Sequence, residues 1–330
     1  MKLLKIILVV SLPLFLIPGC KKDTTSTAST ASTTSTTCSS TGTTSGVVGK
    51  VGDNSSNLVT TALAKSANLT KGLTVFGINI LATSEVTDAK LLHAANITAE
   101  LIDNNEDGTA DNPTVLKALV DNSTFVKMYN LQSGNSVTID TDVLDDAGVS
   151  KNTSLGAYET VDNYADGESH DASIEEIFHL ITQYGYSVAY PTVFEESNTS
   201  TSAMALAMDT ARGGRQLTTT DGAWVYNNTT CSATGSLESG KAWWFYDEAS
   251  VDYKTMQTEY MYWGVTSKFG MHDSTAGRTK ADSEWCPNTK AELLAQDPTI
   301  YNLKIMRHTH FLLCYQMPVI VHTPLQPQTL

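Results

Sequence analysis

Residues 171–186 read DASIEEIFHLITQYGY, and the interpretation of the whole chain turns on that stretch. Ile174, Ile177, Phe178 and Ile181 recur at i, i+3, i+4 and i+7, which is the apolar stripe of a helix packed on a core. The spacing predicts a helix over residues 172–184. Ser173 and Glu176, three apart before the apolar run, match a capping box in which the Glu carboxylate returns to the backbone N–H of the cap. Glu175 and His179 are four apart and share a helix face. They are either an ordinary i,i+4 pair on a solvated side or two ligands reaching for one ion.

Working outward, residues 72–81 have strand composition and residues 87–102 have helical spacing. A second helix is expected over 113–120, with Pro113 at an early helical position. Residues 124–131 and 136–143 read as strands. A helix over 202–212 is stopped by Gly213 and Gly214. Trp243, Trp244, Phe245 and Tyr246 form an aromatic strand or turn, read as core plus one exposed edge or as a glycan or peptide platform. A long helix spans 253–269 with Gly264 inside it, and shorter helices fit 289–296 and 301–314. There is no internal repeat and no second linker. The expectation is one mixed α+β domain over 47–330, the alternative being a split near Tyr164.

The run Glu175-Glu176-Ile177-Phe178-His179 resembles the His-Glu-x-x-His signature of the zincin metallopeptidases, with Glu175 in place of the first His. In that family the two helix residues hold zinc and the Glu after the first activates water. The resemblance implies a zincin-like helical core and a Zn²⁺ or other divalent metal on Glu175 and His179. It puts Glu176 at the general-base position and takes a third ligand from a later helix. Glu259 is the candidate, because Met256, Tyr260 and Trp263 mark the buried side of its helix and a carboxylate beside such a stripe needs a partner. His308 and His310 would share a face if they lie on a strand, a weaker metal candidate.

Between the first two helices, Asp103, Asn105, Asp107, Gly108, Thr109 and Asp111 resemble the EF-hand calcium loop, over 103–114. Hard oxygen donors at alternate positions wrap Ca²⁺, and Gly at the sixth position allows the sharp turn. The resemblance implies side-chain ligands from Asp103, Asn105 and Asp107, the Thr109 carbonyl, and Asp111 directly or through water. The twelfth position, a bidentate Glu in the family, is Thr114 here, which weakens the expected affinity to about 10⁻⁴–10⁻³ M. The bland alternative is an Asn/Asp/Gly-rich turn without an ion.

The N-terminus has Lys2 and Lys5 before an apolar run that ends Ile17-Pro18-Gly19-Cys20. This tetrapeptide resembles the lipobox of bacterial lipoproteins. It implies a signal peptide over 1–19, lipidation (palmitate among the acyl chains) at Cys20, export, and anchoring to the envelope, with the outer membrane or cell surface favoured. Residues 20–46 are a Ser/Thr-rich segment too poor in apolar surface to fold, hence a disordered tether. The net charge of −14, without a basic cluster, argues against nucleic acid. Of the 5 cysteines, Cys231, Cys286 and Cys314 fall in the folded part, where one disulfide could form among them. No C-x-x-C or Gly-x-Ser-x-Gly motif occurs. Two functions are consistent with these features. One is a lipid-anchored calcium-binding surface protein without catalysis, meeting an extracellular protein, peptide or glycan. The other is a divergent zincin-like hydrolase. Oligomeric state is not readable.

Overall fold

The computed structural model describes residues 61–105, 107–131, 137–160, 171–215, 225–227, 232–234, 242–246, 251–272, 284–303 and 328–329. Cys20, the tether, Cys231, His308, His310, Cys314 and the alternative boundary at Tyr164 lie outside them. The architecture is α+β.

Helix α1 (Thr61–Ser66) leads into β1 (Lys71–Val75) and β2 (Ile78–Ala82). The single strand expected over 72–81 is therefore a hairpin, with Val75 opposite Ile78. Its two-residue turn puts Phe76 at φ 48° and Gly77 at φ 86°, the left-handed pair that suits a tight hairpin. Apolar residues continue through the turn, so hydropathy hides the break. Helices α2 (Asp88–Ile102) and α3 (Pro113–Asp121) then cross over to β3 (Phe125–Tyr129), which pairs with β2 in parallel. Thr87 caps α2, and Asn112 caps α3 with Pro113 at its start, as the sequence predicts.

Residues 136–143 were expected to form a strand, and this is corrected. Asp140 accepts a hydrogen bond from the Val143 N–H and starts helix α4 (Thr141–Asp146). An N-cap carboxylate thus wins over a weak alternation of Val137, Ile139 and Val143. Helix α4 leads to β4 (Asn152–Gly156), parallel to β3. The sheet runs β4-β3-β2-β1, and the two-residue strand Gln328–Thr329 pairs beyond β1. One face carries Ala64, Ala67, Leu69, Leu144 and Val149 against Leu81 and Phe125. The other face presents Ile80, Val126, Met128 and Leu155 to the larger core. Burial on both faces explains why β2 is apolar at four of five positions.

The larger core is helical. Helix α5 (Ala172–Ile181) is followed by a π-helical turn (Thr182–Tyr186), α6 (Ser187–Ala189) and α7 (Pro191–Phe194). Helix α8 (Ala203–Ala211) ends at Gly213 and Gly214 as predicted, with the Gly214 N–H bonded to the Asp209 carbonyl. Helix α9 (Tyr253–Phe269) has the expected bounds, is capped by Asp252, and ends at Gly270 in the left-handed region. Short helices α10 (Lys290–Gln296) and α11 (Pro298–Asn302) lie against it. In the Trp243–Tyr246 run Trp244 is fully buried and bridges Trp285, while Trp243, Phe245 and Tyr246 are half-buried. Helix α5 is sandwiched among β4, α2 and α9, and that placement makes the site.

Candidate metal centre

The helix of residues 171–186 begins differently from the capping box expected of Ser173 and Glu176. Asp171 is the cap. Its Oδ1 accepts from the Ser173 N–H at 3.0 Å and the Ser173 hydroxyl at 2.6 Å. Its Oδ2 lies 2.7 Å from His93 Nε2 on α2, so the start of α5 is tied to a neighbouring helix. A fully buried carboxylate one residue before the helix outcompetes Ser173 for the free N–H groups. Glu176 is thereby released from capping. Its Oε2 instead accepts a 2.7 Å hydrogen bond from Thr153 Oγ1 on β4.

The apolar stripe of Ile174, Ile177, Phe178 and Ile181 is buried as the periodicity predicts. That burial turns Glu175 and His179 toward α9. There Glu259, 6 % exposed, sits 80 residues along the chain from His179 yet brings Oε2 to 3.5 Å from His179 Nε2. The ligand atoms of Glu175, His179 and Glu259 all lie within 4.8 Å of one another, the one such group of His, Cys, Asp or Glu among the described residues. Among the described residues the buried His179 Nε2 has no shorter polar contact than this ion pair with Glu259 at 3.5 Å. Tyr246 donates its hydroxyl to Glu259 Oε1 at 3.4 Å. The ring of Tyr262 meets the His179 imidazole edge-on, with centroids 5.7 Å apart.

The surrounding carboxylates favour a positive charge at His179. Burial alone would lower the His179 pKa, but the carboxylates of Glu259, Glu175 and Glu176 override it and hold the imidazole up to about 10. Burial also raises the Glu176 carboxyl, against the pull of His179 and Thr153. A water-poor pocket with clustered carboxylates is costly unless a positive charge sits among them. In the ion-free protein the His179 proton supplies one, and a divalent ion on Nε2 would replace it. Two carboxylates and one imidazole suit zinc and also harder divalent metals. The three sequence-predicted ligands thus converge on one place, while Glu176, next to Glu175 on the same helix, turns to Thr153 on β4.

The calcium-loop residues form a tight turn between α2 and α3. Asp103, almost fully buried, accepts from the Asp107 N–H through Oδ1 and from the Gly108 N–H at 2.7 Å through Oδ2. Asn105 Oδ1 accepts from the Asp107 N–H, Asp107 Oδ1 from the Thr109 N–H, and Asp111 Oδ2 from the Asn104 N–H. Gly108 has φ 84°, the left-handed turn the sixth position requires. The loop thus has the expected helix–turn–helix setting, with its carboxylates turned inward onto backbone N–H groups.

Sequence reasoning missed Asp171, Thr153, Tyr246 and Thr258 as supports of the site, and Glu196 beside it. Their roles depend on contacts with residues far off in the sequence: Asp171 with His93, Thr153 with Glu176, Tyr246 with Glu259 and Thr258 with Glu196. Comparison with known proteins gives no match to this chain, whether among protein-family models, curated proteins or solved structures. The site is therefore read from its own geometry.

Proposed function

We propose that this protein is a metal-dependent hydrolase of zincin-like design, with Glu175, His179 and Glu259 as ligands and Glu176 as general base. The observation that carries the reading is the convergence of the three ligand atoms within 4.8 Å, from two helices far apart in sequence. A bound divalent ion would supply Lewis-acid polarisation and lower the pKa of water toward 7. Glu176 follows Glu175 directly and leans toward β4, held by Thr153. It is set to take a proton from the attacking water and pass it to the leaving group. Its raised pKa brings its basicity closer to neutral pH, where proton transfer of this kind is efficient. The substrate class implied by the resemblance is a peptide bond.

The export reading accompanies this one: a lipid on Cys20 and a Ser/Thr tether would hold the domain at the bacterial envelope. No helix among the described residues is long and apolar enough to cross a membrane. The second functional reading, a calcium-stabilised surface protein without catalysis, is favoured by the loop at 103–114 with its left-handed Gly108. The two are compatible, since the loop and the Glu/His/Glu cluster use different residues.

Metal analysis by mass spectrometry on the purified chain and on His179→Ala tests the primary reading. Near-stoichiometric zinc, manganese, iron or cobalt that disappears in the variant, with hydrolysis of a peptide library lost alongside it, is the expected result. Calcium alone, unchanged by the variant, would leave the calcium-binding reading in its place.

A further inference from the structure

Glu196 lies just past α7, in a polar stretch that carries no motif. Its backbone N–H donates to Ser187 Oγ at 3.0 Å, at the start of α6, directly beyond the π-helical turn that ends the α5 segment. Its side-chain Oε2 accepts a 2.8 Å hydrogen bond from Thr258 Oγ1, the residue before Glu259 on α9. One residue therefore joins the two helical segments that carry the ligands. Its neighbours reinforce the link. The Ser197 carbonyl accepts from Gln257 Nε2 at 2.8 Å, and Asn198 bonds both Asp252 and the Lys254 N–H.

The other carboxylate oxygen, Oε1, is buried and has no hydrogen-bond partner, in a side chain only 6 % exposed. Nothing in local folding explains an unpaired oxygen there, because a Gln or Met would fill the space without the desolvation cost. Burial pushes its carboxyl up to about 8, against the opposing pull of the Thr258 hydroxyl and His179. A metal-bound imidazole is commonly backed by a carboxylate that increases its basicity and fixes its orientation.

We propose that Glu196 is a positioning residue of the metal centre: it sets the separation of the two ligand-bearing helical segments and, through Thr258, holds a buried negative charge beside the Glu259 position on α9. The inference rests on the metal-site reading above. It gives Glu196 a cost in the ion-free protein and a benefit in the metal-bound one, which a purely structural residue would not have.

The test compares the full chain with Glu196→Gln and Thr258→Val, measuring Zn²⁺ and Co²⁺ affinity by chelator competition and melting of the ion-free forms at pH 8. Glu196→Gln keeps an acceptor for Thr258 and removes the charge. The expected result is metal affinity weakened about 10–100-fold while the ion-free variant melts at or above the parent. Thr258→Val, which frees the carboxylate to turn, should weaken affinity in the same direction with the charge in place. Affinity within about twofold of the parent in Glu196→Gln would overturn the proposal, as would lost affinity accompanied by a lowered melting temperature, which marks a structural role. A parent chain that takes up neither ion would overturn the metal reading itself and this inference with it.

Discussion

At the scale of single residues, the centre makes firm demands on protons. His179 is held up to about 10 in the ion-free protein, against an ordinary value of 6.5. A group with a raised folded pKa contributes stability that is complete below its unfolded pKa and lost as pH climbs toward the folded one. The same sign applies to Glu196, raised from 4.5 to about 8. Both groups therefore predict that the ion-free protein loses stability between about pH 5 and pH 10, measurable as a falling melting temperature. His179→Gln should flatten the upper part of that slope. Saturating Zn²⁺ should oppose the loss, because ligation needs the neutral imidazole and tightens as pH rises. Glu176→Gln separates binding from chemistry. It should leave metal content near the parent's and reduce hydrolysis about 10²–10⁴-fold, the range for loss of a general base.

At the scale of elements, the legibility of the chain followed the range of the forces involved. Helices 87–102, 113–120, 202–212 and 253–269 were readable because periodicity, caps and glycine stops act within a few residues. The Phe76-Gly77 turn was hidden by continuous apolar residues, and α4 by a mimic of strand alternation that Asp140 overrides. At the site, the meeting of Glu175, His179 and Glu259 was legible only through the resemblance to the zincin signature, since no local spacing encodes the docking of α9 on α5. Asp171 as cap was missed because Ser173 offered a nearer match to a known box, and the His93 contact that helps to hold a buried carboxylate there comes from another helix. The π-helical turn after α5 also belongs to this scale. A Cβ on Gly185 would stand 2.7 Å from Val115 Cγ1 and 3.2 Å from Leu119 Cγ, so α3 approaches the turn as closely as hydrogen allows. Gly185→Val should push α3 away, destabilise the domain by about 1–3 kcal/mol in denaturant unfolding, and weaken metal uptake through displaced ligands.

At the scale of the whole molecule, the sheet is buried on both faces while the candidate calcium turn connects the helices of its first crossover. If that turn holds Ca²⁺ at a dissociation constant of about 1 mM, then 10 mM calcium should stabilise the protein by about 1.4 kcal/mol. Asp103→Ala should remove that increment, read as the difference in melting with and without calcium. The ligand set has a further consequence for how the molecule comes into being. A chain made from its N-terminus presents Glu175 and His179 long before Glu259 exists, and no two neighbouring elements hold all three. If the proposed centre holds an ion, a half-made product would lack one of its three ligands, and full loading would report that the late helix has arrived. A lesion that delays the docking of α9 would then show first as an empty, fully synthesised protein.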